Sequence, residues 1–180
     1  YIKQKHIIYI STDQIYNNKK NKNIEENIDL INTYAYTKFI GEVPYNNINY
    51  STILRTNFFG KSLLKKRISY SDWILKNLKK KQKINIIKNT YFSPILIENL
   101  IKIIDTVINK NTYGCFNVGS ANEITKYNFA KTLADIYKFD KKFIKIEKKN
   151  NSKFIKKPNK MGLNCNKLIK KLKINLPKIE

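Results

Sequence analysis

Glycine is scarce. The chain holds five in 180 residues, namely Gly41, Gly60, Gly114, Gly119 and Gly162. No three of them approach a G-x-x-G-x-x-G spacing. The stretch therefore carries no glycine-rich turn of the kind that brings backbone N–H groups against a phosphate. Histidine is scarcer still. His6 is the only one, and it heads an apolar run, where a place at a strand edge is expected. A histidine-based hydrolytic triad would have to use it. Cys115 and Cys165 stand apart, without a C-x-x-C pair or partnering histidines. That argues against a zinc site and fits a reducing, cytoplasmic setting. No window reaches the roughly 18 apolar residues of a membrane-spanning helix. The chain opens on "YIKQKHIIYIST" with neither an initiator Met nor a signal-peptide pattern, and reads as beginning in mid-protein.

Acidic residues are also few, 13 against 36 lysines and arginines, which gives a formal net charge of +23. Such a charge can mean nucleic acid or a membrane surface. The composition argues otherwise. Only Arg55 and Arg67 are arginines, whereas phosphate recognition favours the arginine fork. Lysine, asparagine and isoleucine dominate together, and all three have A/T-rich codons. The lysines run through every segment instead of gathering on one face among aromatics. Runs such as "KNLKKKQK" are read as solvated faces, and neither nucleic acid nor a membrane is expected as a partner.

What is present suits one buried core. The apolar fraction is 42%, enough for a single globular unit of this length. "HIIYIST" and "STILRT" are short, nearly continuous apolar runs, the appearance of buried parallel strands. Between them "DQIYNNKKNKNIEENIDLIN" reads as a polar loop, and a helix is expected from Thr33 through Glu42. "SDWILKNLKKKQ" predicts a helix capped at Ser71. "SPILIENLIKIIDTVINK" predicts one with Pro94 near its first turn, and "TKYNFAKTLADIYKF" one capped by Thr125. "KINIIKN", "YGCFNVGS" and "KFIKIEK" read as strands, and "NCNKLIKKLKI" as a last short helix. The alternation is an α/β pattern. Residues 1–56 are expected to form part of a doubly wound parallel sheet. Residues 57–180 are expected to mix a small α/β lobe with elements returning to that sheet.

One spacing carries chemistry. Tyr34 and Lys38 are four apart at the start of a helix, hence neighbours on one face. An ammonium one turn away favours the phenolate form of a tyrosine, and such a tyrosine can exchange a proton with a substrate oxygen. Reduction of a carbonyl needs that group, because negative charge develops on the oxygen as hydride reaches the carbon. A second hydroxyl on the same oxygen would help. Ser11 and Thr12 end the strand "IIYIST", at the carboxyl edge where α/β sheets bind ligands. Alone the Tyr-x-x-x-Lys spacing says little. Joined to Ser-Thr at a strand end one loop earlier, it says much more.

In order, "IYISTDQIY", "YAYTKFIGE" and "ILRTNFFG" resemble the extended short-chain dehydrogenase/reductases, closest to the dTDP-4-dehydrorhamnose reductase branch. "YFSPILIENLIKII", "YGCFNVGS", "TKYNFAKTLADIY" and "KKPNKMGLNCNKL" are similar to that branch's C-terminal half. The resemblance implies the C-terminal half of a Rossmann-like fold with a substrate lobe. It implies NADPH or NADH as cofactor and reduction of a nucleotide-linked 4-keto-6-deoxy sugar, a step of cell-surface polysaccharide biosynthesis. Thr12 would bind the substrate carbonyl and Tyr34 would donate the proton. Lys38 would tune that tyrosine and contact the nicotinamide ribose. Ser11 would lie on the cofactor side, and Asp13 and Asn57 on the substrate side. Tyr36 falls on the wrong face for chemistry.

Related dehydratases follow "STD" with a glutamate that serves as a base. Asp13 is followed here by Gln14, whose amide cannot do so, and a reductase is favoured. An epimerase uses the same tyrosine and stays open. So does a non-catalytic nucleotide-sugar-binding relative, because the dinucleotide's glycine turn is not in this stretch. Homo-oligomerisation is likewise left open.

Overall fold

The computed structural model describes residues 5–17, 22–64, 68–147 and 158–179. The chain runs β1 (Ile7–Thr12), a 3-10 turn (Asp13–Ile15), α1 (Thr33–Ile40), α2 (Val43–Asn46), β2 (Ser51–Thr56) and β3 (Phe58–Phe59). It continues through α3 (Tyr70–Lys79), β4 (Ile84–Ile86), β5 (Tyr91–Phe92), β6 (Ile95–Leu96), α4 (Ile97–Asn109) and β7 (Gly114–Val118). Then come β8 (Ile124–Thr125), α5 (Lys126–Ile136), a second 3-10 turn (Lys141–Phe143), β9 (Ile144–Ile146), β10 (Lys160–Met161) and α6 (Asn166–Leu172).

The main sheet is parallel, in the order β1-β2-β7. All six residues of β2 are buried, as a strand flanked on both sides and covered on both faces must be. The register sets Thr12 beside Thr56 and Thr56 beside Val118, so these three end the sheet in one row. Ser11, Arg55 and Asn117 form the row before it. Alternation along a strand sends the two rows to opposite faces.

Two apolar clusters hold the chain together. The first joins the sheet to α4 and α6 through Leu54, Phe116, Val118, Leu100, Val107, Leu168 and Leu172. It draws on residues from both ends of the chain. The second packs α3 and α5 on the small parallel pair β4-β9, with Ile74, Leu78, Ile84, Leu133 and Ile144 at its centre. Phe129 fills its middle, edge-on to Phe59 at 5.0 Å and to Phe92 at 5.5 Å. Each such side chain contributes about 1.5–3 kcal/mol through burial.

Two helix starts depart from the sequence reading. α3 is capped by Ser69, which accepts from the Asp72 amide at 3.1 Å. Ser71 lies inside the helix, buried, and donates to the Gly60 carbonyl. Both serines sit near the boundary, and the one with extended backbone takes the cap. α4 starts only at Ile97, because Ile95 and Leu96 pair with Phe58 and Phe59 as a short parallel ladder. Strand pairing with β3 thus overrides the helical periodicity after Pro94. The expected cap of α5 is present, and α1 is capped as well. Asn32 accepts from the Ala35 amide, and Thr125 accepts from the Asn128 amide. No described helix is long and apolar enough to cross a membrane.

Candidate active site

α1 lies close against β1 because Gly41 ends it. A Cβ there would collide with the Tyr9 hydroxyl. The Tyr9 hydroxyl donates to the Lys38 carbonyl at 3.3 Å, and the Lys38 ammonium sits 4.5 Å over the Tyr9 ring. The same ammonium donates to the Ile10 carbonyl at 2.8 Å. Lys38 is thereby fixed at the carboxyl end of β1, and an ammonium still has N–H groups to offer a ligand.

Thr12, Tyr34 and Lys38 line one cavity of about 390 Å³, together with Ile10, Ser11, Gln14, Thr56, Asn57 and Phe58. Thr12 is buried, and its oxygen accepts from the Gln14 amide at 3.2 Å. Its own proton points at Asp13 Oδ1 over 3.5 Å, a weak bond that a better acceptor would displace. Tyr34 is 50% exposed, its ring standing at the cavity mouth in reach of solvent.

Asp13 stands behind this wall and not in it. It is buried, and its Oδ2 accepts from the Asn57 side-chain amide at 2.8 Å. Burial pushes its carboxyl up to about 7, against the opposing pull of the Asn57 hydrogen bond and the Lys126 charge. Asn57 does line the cavity, and its side-chain amide gives one N–H to Asp13. Ser11 also lines the cavity, but its hydroxyl donates to Glu42 Oε1 at 2.5 Å. Its proton is committed inward.

That bond belongs to a buried network that braces the site. Arg55 meets Glu42 through Nη2 at 2.6 Å and Nε at 3.0 Å. Arg55 Nη1 donates to the Tyr16 hydroxyl and to the Glu25 carbonyl. Tyr16 donates to Asn117 Oδ1 at 2.8 Å, and the Asn117 amide donates to Glu25 Oε1. The ends of β1, β2, β7 and α1 are tied by one chain of hydrogen bonds, those of the Arg55, Glu42 and Glu25 side chains being charge-assisted.

The sequence reading missed four wall residues, Ile10, Thr56, Phe58 and the Gln14 side chain as a lining group. Thr56 was accessible in principle, because alternation through "STILRT" places it in the row of Thr12. Its hydroxyl oxygen is buried and has no hydrogen-bond partner. A second groove, about 540 Å³, runs between α3 and the end of α5. It is lined by Leu75, Tyr137 and Phe139 among others and lacks a comparable set of hydroxyls.

No curated protein matches the chain. Among solved structures it resembles dTDP-4-dehydrorhamnose reductase from Bacillus anthracis str. Ames, in complex with NADP, with a TM-score of 0.81 at 20% identity. That match covers 95% of this chain and 61% of the other. A hypothetical dTDP-4-dehydrorhamnose reductase from Sulfolobus tokodaii gives 0.78 at 22% identity, over 92% of this chain and 57% of that one. A dTDP-glucose 4,6-dehydratase from Bacillus anthracis str. Ames, in complex with NAD, gives 0.74 at 17%, over 94% and 56%. The chain thus spans about three fifths of the length of the first of these proteins and somewhat less of the others. At such identities the likeness establishes the Rossmann-like α/β fold. The model of the RmlD substrate binding domain matches residues 2–180, and the chain belongs to that family.

Proposed function

We propose that these residues form the catalytic and substrate-binding part of an NAD(P)H-dependent reductase acting on a nucleotide-linked 4-keto-6-deoxy sugar. The observation that carries it is the meeting of Thr12, Tyr34 and Lys38 in one cavity at the carboxyl end of the parallel strands. The family and the structural neighbours support the same reading. So does Gln14, an amide in the cavity wall where a dehydratase needs a base.

The wall fits a polar cofactor: a buried hydroxyl at Thr56 lacks a partner, and a fixed ammonium faces the cavity. When bound, a reduced nicotinamide dinucleotide supplies the hydride. Lys38 would hold its ribose hydroxyls and supply the positive charge of the site. Thr12 would donate to the ketone oxygen, its hydroxyl polarised by the Gln14 amide behind it. Tyr34 would pass its proton to that oxygen as the C–O π bond becomes an alcohol. Exposure to solvent lets the phenolate recover a proton without further machinery. Asn57, held by Asp13, would contact the sugar.

Incubation of the native protein with dTDP-4-dehydrorhamnose and NADPH or NADH tests the reaction class. A reductase consumes one reduced dinucleotide per ketone. Turnover of the sugar without net consumption would assign an epimerase instead, and binding of the sugar without turnover a non-catalytic relative.

A further inference from the structure

A lysine ammonium on its four-carbon stem swings freely unless something holds it. The Ile10 carbonyl accepts from the Lys38 ammonium at 2.8 Å, which engages one of its three N–H groups. A single hydrogen bond still lets the ammonium turn about it. Tyr9 supplies a second surface. Its ring centroid lies 4.5 Å from the ammonium, inside the ~6 Å over which a ring face attracts a cation. The seat of the ring is built with care for space. Its hydroxyl donates to the Lys38 carbonyl at 3.3 Å, so the helix that carries the ammonium also anchors the ring. The other neighbour is Tyr45 of α2, stacked with centroids 4.9 Å apart. Gly41 leaves the room. Its φ of −64° and ψ of −15° are ordinary right-handed helix, which any residue adopts. Glycine is therefore not needed there for conformation, whereas a Cβ would collide with the Tyr9 hydroxyl. Tyr9 does not itself line the cavity.

We infer that Tyr9 is a positioning residue, whose ring face and the Ile10 carbonyl together hold the Lys38 ammonium, with Gly41 as the space that seats the ring. Two sides of the ammonium are then occupied, and the rest of it is left to the cavity that Lys38 lines. A charge held in one place before the ligand arrives costs less to use than one that must be ordered on binding. What the ammonium does for a dinucleotide rests on the reductase reading above. Its placement by Tyr9 does not.

The test labels the lysine ε carbons of the native protein with 13C and assigns the Lys38 signal by its loss in Lys38→Arg. Protons above an aromatic face resonate upfield of those on a solvated lysine. We expect the Lys38 ε protons upfield in wild type and in Tyr9→Phe, which keeps the ring, and at the solvated position in Tyr9→Leu. Binding of NADPH and NADH is followed by their fluorescence in the same proteins. Tyr9→Leu should weaken the Kd about 10-fold, the scale of a well-placed cation–π contact, and Tyr9→Phe should restore it. In a Lys38→Met background Tyr9→Leu should have no further effect, because Tyr9 acts through that ammonium. A wild-type signal at the solvated position would overturn the inference. So would an upfield signal that survives Tyr9→Leu or is lost in Tyr9→Phe, or an equal loss of affinity in both Lys38 backgrounds. If Tyr9→Leu does not fold, the wild-type and Tyr9→Phe spectra still decide, since both must show the upfield signal. The expected spectra in a protein that binds no dinucleotide would support the placement by Tyr9 and count against the reductase reading alone.

Discussion

At the scale of single residues, two titrating groups, Asp13 fully buried and His6 partly so, pull stability in opposite directions. Asp13 has its folded pKa raised to about 7 from 3.8 by burial. Its contribution is complete below 3.8 and is lost as pH rises toward 7, because the folded protein holds a proton the unfolded chain has released. Asp13→Asn keeps an acceptor for Asn57 and removes that titration. The variant should gain stability over wild type steadily between pH 4 and 7, measured by urea midpoints. A flat difference would mean that Asp13 is ionised throughout. His6 works the other way. Thr52 gives its proton to the Thr112 carbonyl, so His6 Nε2 must donate to Thr52 at 2.7 Å. Nδ1 is then a buried acceptor without a partner, and burial lowers the pKa from 6.5. Stability from neutral His6 is lost as pH falls below about 6.5, where the unfolded chain takes up the proton first. His6→Gln should flatten the pH dependence of the urea midpoint over that range. An unchanged acid limb would contradict the tautomer.

Among the secondary-structure elements, the Glu42–Arg55 pair ties the end of α1 to β2, with both side chains almost fully buried. Removing one partner leaves a buried charge. Glu42→Ala should cost about 3–5 kcal/mol by denaturant unfolding. Glu42→Leu combined with Arg55→Met should recover part of that loss, and additivity of the two single effects would argue against a coupled pair. The elements differ in how readily the sequence discloses them. β1 and β2 could be read from "IIYIST" and "STILRT", because burial on both faces demands unbroken apolar runs. α1 could be read because "TYAYTKFIGE" runs on without a breaker after a polar loop. The strand at Ile95–Leu96 could not, since it exists only through Phe58 and Phe59, far away in sequence. The same holds for the inward turn of Ser11. Its partner Glu42 is distant along the chain, and no local rule signals that the hydroxyl is spoken for. Thr12, Tyr34 and Lys38 were legible as residue types at a spacing. That Asp13 stands behind the wall was not, because burial is a property of the packed chain.

For the molecule as a whole, the last helix closes the first core. Leu168 and Leu172 are fully buried in the cluster that also holds Leu54 and Phe116. Leu168→Ala should cost about 2–5 kcal/mol, read from the urea midpoint of the native protein. A loss under about 1 kcal/mol would mean that α6 is not part of the cooperative unit. The central claim concerns chemistry, and the most direct test is Tyr34→Phe in the native protein, assayed for ketone reduction and for dinucleotide binding together. The ring stays and only the hydroxyl leaves. Loss of one general acid predicts a fall in kcat of at least ~100-fold, with dinucleotide affinity nearly unchanged. Near-normal reduction of the ketone by that variant would contradict the assignment of Tyr34 and the mechanism built on it.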